Sequence, residues 1–475
     1  MTTIHKGATG KALLYLQVLK ESLQGKEIDY TTVSIRKAVI MLAIPMMLEM
    51  MMESVFALVD LYFVGHLKES SIAIQTVGLT ESVLTVIYSV AIGMSMAATA
   101  VVARRIGEKN NEKAARSAAQ VIMIAFAVNA VLSIAGVVYA KEILMAMGAT
   151  EPAAAHGKTF TQIMMGSSIV IMLLFLINGI FRGAGNAAIA MKSLWVANIC
   201  NVILCPIFIN GLGPIPAMGL TGAAVATATG RSIGVLYQVY YLFGGNGLIR
   251  LAAKHFKPDQ DIIRSLVKIA TPGIFQFVIA SCSWIVLARL VAVTGGEDGS
   301  AGYQTALRLM MFFMLPAWGL SGAASTLVGQ NLGANAPERA RQSVMKTVKY
   351  NVIFMLGVSL IFFLLGDWLV SFFSEVEHVR SVAKRAMYIM ASGFVFYGVG
   401  MVMINAFNGS GDTWTPTKVN FFGFWLFQIP VAYLLAQYLN LGATGVFIAI
   451  PVAEAAITIV SFILFRKGGW IRKQV

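Results

Sequence analysis

Apolar residues come in long blocks separated by short polar punctuation, and the blocks set the architecture. Mostly apolar stretches begin near residues 38, 72, 117, 160, 187, 217, 265, 301, 345, 384, 418 and 442. Each is long enough to cross a bilayer as a helix, which takes about 20 residues. The pattern predicts an all-α membrane protein with twelve transmembrane helices. The longest charged interval, Arg250 to Lys268 with Pro258 inside it, falls between the sixth and seventh blocks. The predicted layout is therefore a cytoplasmic segment 1–36, a first lobe 37–244 holding helices 1–6, a linker 245–264, a second lobe 265–466 holding helices 7–12, and a tail 467–475. Within the first segment, Lys11 to Gly25 places Leu13, Leu16, Leu19 and Leu23 at helical spacing beneath Lys and Glu. That spacing suits a helix lying on the membrane surface.

The polar punctuation repeats. FRGAGNA at Phe181 to Ala187 returns 226 residues later as FNGSGDT at Phe407 to Thr413. Gly93 to Ala114 aligns without a gap on Gly319 to Ala340 at the same offset, and the segment from Gly219 pairs with that from Gly442 after a three-residue slip. Two homologous six-helix bundles are implied, and duplicated hydrophobic halves are the usual build of a secondary transporter. Gly183, Gly185, Gly409 and Gly411 in the repeated turns, together with Pro45 in the first helix, are the candidate structural or gating positions.

Composition agrees with a lipid environment: 57% of residues are hydrophobic, 12% are charged, and mean hydropathy is +0.75. Of the 36 Lys and Arg residues, 27 fall on the side that holds both termini and 6 on the other. The positive-inside bias places both termini in the cytoplasm of a cell (inner) membrane. The net charge of +14 then needs no nucleic acid partner, because the basic residues face anionic headgroups. No signal peptide is expected in the charged first 36 residues. Cys200, Cys205 and Cys282 all fall inside apolar blocks and form no CxxC pair. No GxSxG elbow, HExxH motif or phosphate-binding Lys-Ser/Thr appears, so an enzyme is not expected, nor is a cofactor.

What remains are charges where charges are expensive, at least ~2.5 kcal/mol each at mid-helix if they face lipid. Helix 1 carries Glu49, Glu53 and Asp60, helix 2 Glu81, helix 6 Arg231, helix 7 Arg289, helix 8 Arg308 and helix 12 Glu454. At about 100° per residue, the three helix 1 acids share one face. Helix 5 adds Asn198 and Asn201, and helix 6 adds Thr227. Asp60, Glu81, Asn201 and Thr227 are expected to converge in the outer half of the first lobe, where carboxylate, amide and hydroxyl oxygens suit Na⁺, with Asp60, Asn201 and Thr227 as its ligands, and a carboxylate in apolar surroundings equally suits H⁺. Glu49 and Glu53 have a second reading as partners of Arg231, and Arg289 and Arg308 as partners of Glu454 or as helix ends. The methionines around Met46 to Met52 and at Met310, Met311 and Met314 suit an adaptable pocket, but the substrate site stays unassigned.

These residues carry a resemblance. Ile44-Pro45 is followed by Val59-Asp60 and Phe63-Val64-Gly65, then by the FRGAGN and FNGSGD turns, CPIFI at Cys205 and VGQNLGA from Val328 to Ala334. Together, from Arg36 to about Arg466, they resemble the multidrug and toxic compound extrusion (MATE) family. The resemblance implies two six-helix bundles in a V that rock to alternate access, exporting cationic or amphipathic organic compounds against Na⁺ or H⁺ as a monomer in the bilayer. It puts the coupling aspartate at Asp60 and the helix 5 asparagine at Asn201. Two departures stand out. Cys205 occupies a position where archaeal and DinF-like branches have an aspartate, while Ala280 and Tyr397 occupy positions where NorM-like members have acids. Coupling through the first lobe is thus expected, with Glu53 or Glu81 in place of the missing acid. A lipid or lipid-linked oligosaccharide flippase of the same superfamily is the alternative.

Overall fold

The structure, a computed structural model, describes residues 8–65, 70–244, 247–373, 376–473 and 475; side chains at 8–15, 57–62, 64–65 and 70–74 lie outside the description. An amino-terminal helix, Ala8–Gln24, precedes twelve spans. In the first half these are α1 (Ile35–Gly65), α2 (Ser70–Gly107), α3 (Asn111–Val138), α4 (Glu151–Gly166 continued by Ser168–Ala184), α5 (Ala187–Asn210) and α6 (Leu220–Gly244). In the second half a helical stretch, Gln260–Gly333, is broken at Gly296, which sits at φ 63° and ψ −160° and divides it into α7 (260–295) and α8 (297–333). Then follow α9 (Pro337–Ser371), α10 (Glu377–Ser392 and Phe394–Ser410, bent by 54°), α11 (Trp414–Tyr438) and α12 (Ala443–Lys467).

The sequence repeat is also a conformational repeat. Gly185 and Gly411 end α4 and α10 at φ 90° and 86°, a region that costs an L-residue but not glycine. Lys109 and Asn335, again 226 apart, are both left-handed, at φ 59° and 57°. Gly183 and Gly409 fulfil one packing task in each half: a Cβ on Gly183 would lie 2.8 Å from the Thr99 carbonyl oxygen, and one on Gly409 2.2 Å from that of Ser325. Small residues here let α4 and α10 press onto α2 and α8, the usual device for helix association in lipid.

The halves meet most closely at the end that carries both termini. A Cβ on Gly107 would stand 2.0 Å from the Gln330 carbonyl oxygen, and one on Gly333 2.2 Å from that of Arg104. Higher up the seam, Gly93 abuts Ile274 and Gly319 abuts Met46. Side chains of α8 reach across it: Thr326 Oγ1 donates to the Arg182 carbonyl (3.0 Å) and Gln330 Nε2 to that of Gly183 (3.0 Å). Toward the other end the lobes part around a 770 Å³ space lined from both sides, by Glu81 of α2 and Arg308 of α8 among others.

One boundary differs from the sequence expectation. The second lobe's first helix begins at Gln260 rather than at 265, because Asp259 caps it and the helix runs one charged turn beyond its apolar block. The linker is pinned to α3 as well: Gln120 Nε2 donates to the His255 and Lys257 carbonyls at 2.9 Å each, and buried His255 pairs with Glu112. One of the bonds that tie down the amino-terminal helix has a clear cause. Pro45 has no N–H to give the Met41 carbonyl four residues earlier, and the Ser22 hydroxyl donates to that oxygen at 2.9 Å instead. Leu16 and Leu19 of this helix remain exposed, and Glu21, held by hydrogen bonds from Lys37 and Lys26, has its carboxyl pulled down to about 2. Ser22→Ala is expected to leave a buried carbonyl unpaired, costing on the order of 1 kcal/mol. A thermal unfolding midpoint in detergent unchanged from the parent would contradict that role.

Candidate functional site

The predicted acidic stripe is built differently from its sequence reading, because two of its acids are already neutralised. Glu49 is buried on α1 and accepts from Asn178 Nδ2 at 2.8 Å and from Arg182 Nη1 at 3.4 Å, both on α4. Arg182 also donates to Ser95 Oγ on α2 at 3.0 Å. Glu53 faces Arg231 of α6 at 3.7 Å, and the guanidinium lies over the rings of Phe56 and Tyr88. Buried carboxylates are retained where such partners exist. Arg182 is a site residue that sequence reasoning did not single out, since it falls inside the FRGAGN motif, which reads as a turn. The turn lies one helical step further on, and Arg182 sits inside α4.

Asn201 and Thr227 are brought together: Asn201 Nδ2 donates to Thr227 Oγ1 at 3.1 Å, and both are buried. Asn198 serves another purpose, donating to the Met52 carbonyl of α1 and so docking α5 on α1. Asp60 lies on α1, but its side chain is outside the described residues. Glu81 is exposed and lines the open space between the lobes, not the Asn201 and Thr227 pair. Cys205 is buried among the apolar side chains of the first lobe's outer core.

In the second lobe, the expectation that Arg289 or Arg308 pairs with Glu454 fails. Both arginines are exposed, whereas Glu454 is 7% exposed and faces a chamber of 380 Å³ between α7, α8, α10, α11 and α12. A second chamber of 240 Å³, lined by Glu53, Ser95 and Arg182, adjoins it across Met96, Leu315, Trp318 and Asn405. Of the two methionine groups, Met310, Met311 and Met314 line the Glu454 chamber and Met46 and Met50 the other.

The sequence profile described as MatE matches the chain twice, over residues 45–207 and 272–434, once in each lobe. The chain belongs to the MatE family. Its members are transporters, not enzymes. A probable multidrug resistance protein of Thermotoga maritima is 26% identical over 447 residues, covering 93% of this chain and 94% of that protein. The multidrug export protein MepA of Staphylococcus aureus is 22% identical over 90% of this chain and 93% of its own length. Among solved structures, a MOP superfamily transporter from Pyrococcus furiosus, described as having a binding pocket of reversed polarity, superposes with a TM-score of 0.88 at 25% identity, covering 94% of this chain and 99% of the other. The twelve-helix, two-bundle fold and a multi-pass MATE transporter of small molecules follow. Nine helices among the described residues are each long and apolar enough to cross a membrane, and the bent α10 pair makes a tenth.

Proposed function

We infer that the chain is a secondary active exporter that moves cationic or amphipathic organic compounds out of the cell in exchange for Na⁺ or H⁺, with both termini in the cytoplasm of the cell membrane. The observation that carries this reading is a pair of acid-bearing chambers between two pseudo-symmetric lobes, packed shut at the terminal end and parted at the other. A barrier of that form, if the seam can change ends, is what alternating access requires. Coupling rests with the first lobe at Asp60, with the Asn201 and Thr227 pair on α5 and α6 as the source of neutral oxygens. Glu53 and Glu49 set the local field and are held by Arg231 and Arg182. The flippase reading is the weaker one, because the second-lobe chamber has Glu454 as its charged lining group and so disfavours a phosphorylated glycolipid. The test is efflux of a fluorescent organic cation from proteoliposomes, driven first by an imposed Na⁺ gradient and then by an imposed pH gradient. Acceleration by one of them is expected. Acceleration by neither would overturn the assignment.

A further inference from the structure

We propose that the second-lobe chamber is a binding subsite for flat organic monocations, with Glu454 as their counter-charge. The inference rests on the export reading above and names where and how the cargo is held. Its first support is volume: 380 Å³ falls in the range of pockets that enclose drug-sized ligands, about 300 to 1,000 Å³. Charge is the second. Glu454 of α12 is the charged group among the chamber's described lining residues, so the wall can balance one positive charge.

The third support is a set of unsatisfied acceptors. Gln276 Oε1 on α7 and Asn420 Oδ1 on α11 are buried without a hydrogen-bond partner, although both residues are 5% exposed and line the chamber. The Tyr397 hydroxyl on α10 lies beside the Glu454 carboxylate and is the chamber's donor to it. Buried polar atoms left idle cost about 1 to 3 kcal/mol apiece unless something else completes them. Acceptors on two helices around one carboxylate are suited to the N–H groups of an organic cation.

The remaining walls define its body. Phe277 stacks on Trp318 with ring centroids 5.2 Å apart, Trp284 and Phe424 face the same space, and aromatic faces attract cations as well as flat apolar surfaces. Asn420 and Phe424 flank or lie in a π-helical stretch, Phe421–Gln428, a distortion often found at functional sites. An inorganic cation would use the oxygens but leave the aromatic walls without a purpose.

Ethidium, a planar aromatic monocation, and dihydroethidium, its neutral reduced form, separate these properties. In equilibrium titrations of the purified protein, Glu454→Gln is expected to weaken ethidium binding by roughly 10-fold or more while leaving dihydroethidium within about twofold. Glu454→Asp should retain most of the ethidium affinity. Filling the chamber with Ala280→Phe should weaken both probes with every charge in place. Unchanged ethidium affinity in Glu454→Gln, an equal loss of both probes, or displacement of ethidium by millimolar NaCl that depends on Glu454 would each overturn the subsite, the last by making it an inorganic cation site. If Glu454→Gln fails to fold, the Ala280→Phe variant and the NaCl competition on the parent decide alone. Ethidium binding that depends on Glu454 while neither gradient drives efflux would sink the export reading alone, so failure of coupling and failure of the subsite give different results.

Discussion

Asp60→Asn is expected to fold, reach the membrane and bind cargo, yet lose gradient-driven efflux by about 100-fold or more, the equivalent of roughly 3 kcal/mol for an intramembrane charge. Asp60 stands seven residues beyond Glu53 on α1, about 20° around the helix and two turns on. Glu53 and Glu49 are committed to Arg231 and Arg182, so neither is available to release and rebind an ion without first breaking an internal pair. The Asn201 and Thr227 pair offers neutral oxygens on the neighbouring helices. An amide at residue 60 keeps shape and hydrogen-bonding capacity but cannot alternate between charge states. Proteoliposome efflux under the effective gradient measures the effect, and undiminished transport by the variant would remove Asp60 from the coupling step.

Gly333→Val, and independently Gly107→Val, are expected to part the terminal-side seam. The added Cβ would meet backbone oxygen of the facing lobe at 2.2 Å or 2.0 Å, where ordinary contact begins beyond 3 Å, and backbone cannot swing aside as a side chain can. Relief requires the lobes to separate. Overpacking of this kind costs about 1 to 3 kcal/mol, which biases the population toward the opposite-facing state by roughly 10- to 100-fold. Spin labels at Lys109 and Asn335, on the paired turns beside the seam, should report a longer or broader distance in either variant. An unchanged distribution with unimpaired transport would show that the seam does not open there.

How much of this was legible in the sequence depends on what each signal measures. The duplication was readable because FRGAGN and FNGSGD demand the same left-handed turn, and Gly185 and Gly411 duly share it. Span number was readable from block length alone, even where the break at Gly296 is all that separates α7 from α8. Partners were harder. Register put Glu49, Glu53 and Asp60 on one face, but it could not say that α4 would present Asn178 and Arg182 to Glu49. Such pairings are fixed by helix rotation and depth, which leave no periodicity. Glu454 was paired with arginines on charge alone, whereas the fold leaves those arginines exposed and turns the acid into a chamber. Arg182 was lost because a glycine turn three residues later looks like the start of a loop.

The seam glycines trade places. Residue 107 packs on the backbone of 330 while 333 packs on that of 104, and the 226-residue offset that carries 107 onto 333 also carries 104 onto 330. A contact in which i meets j and j meets i is what two copies of one chain make about a two-fold axis. A half-length ancestor could therefore have closed this seam against a second copy of itself, using one glycine twice. Fusion into a single chain would free the halves to diverge, and one chamber carries Arg182 beside Glu53 while the other carries Glu454.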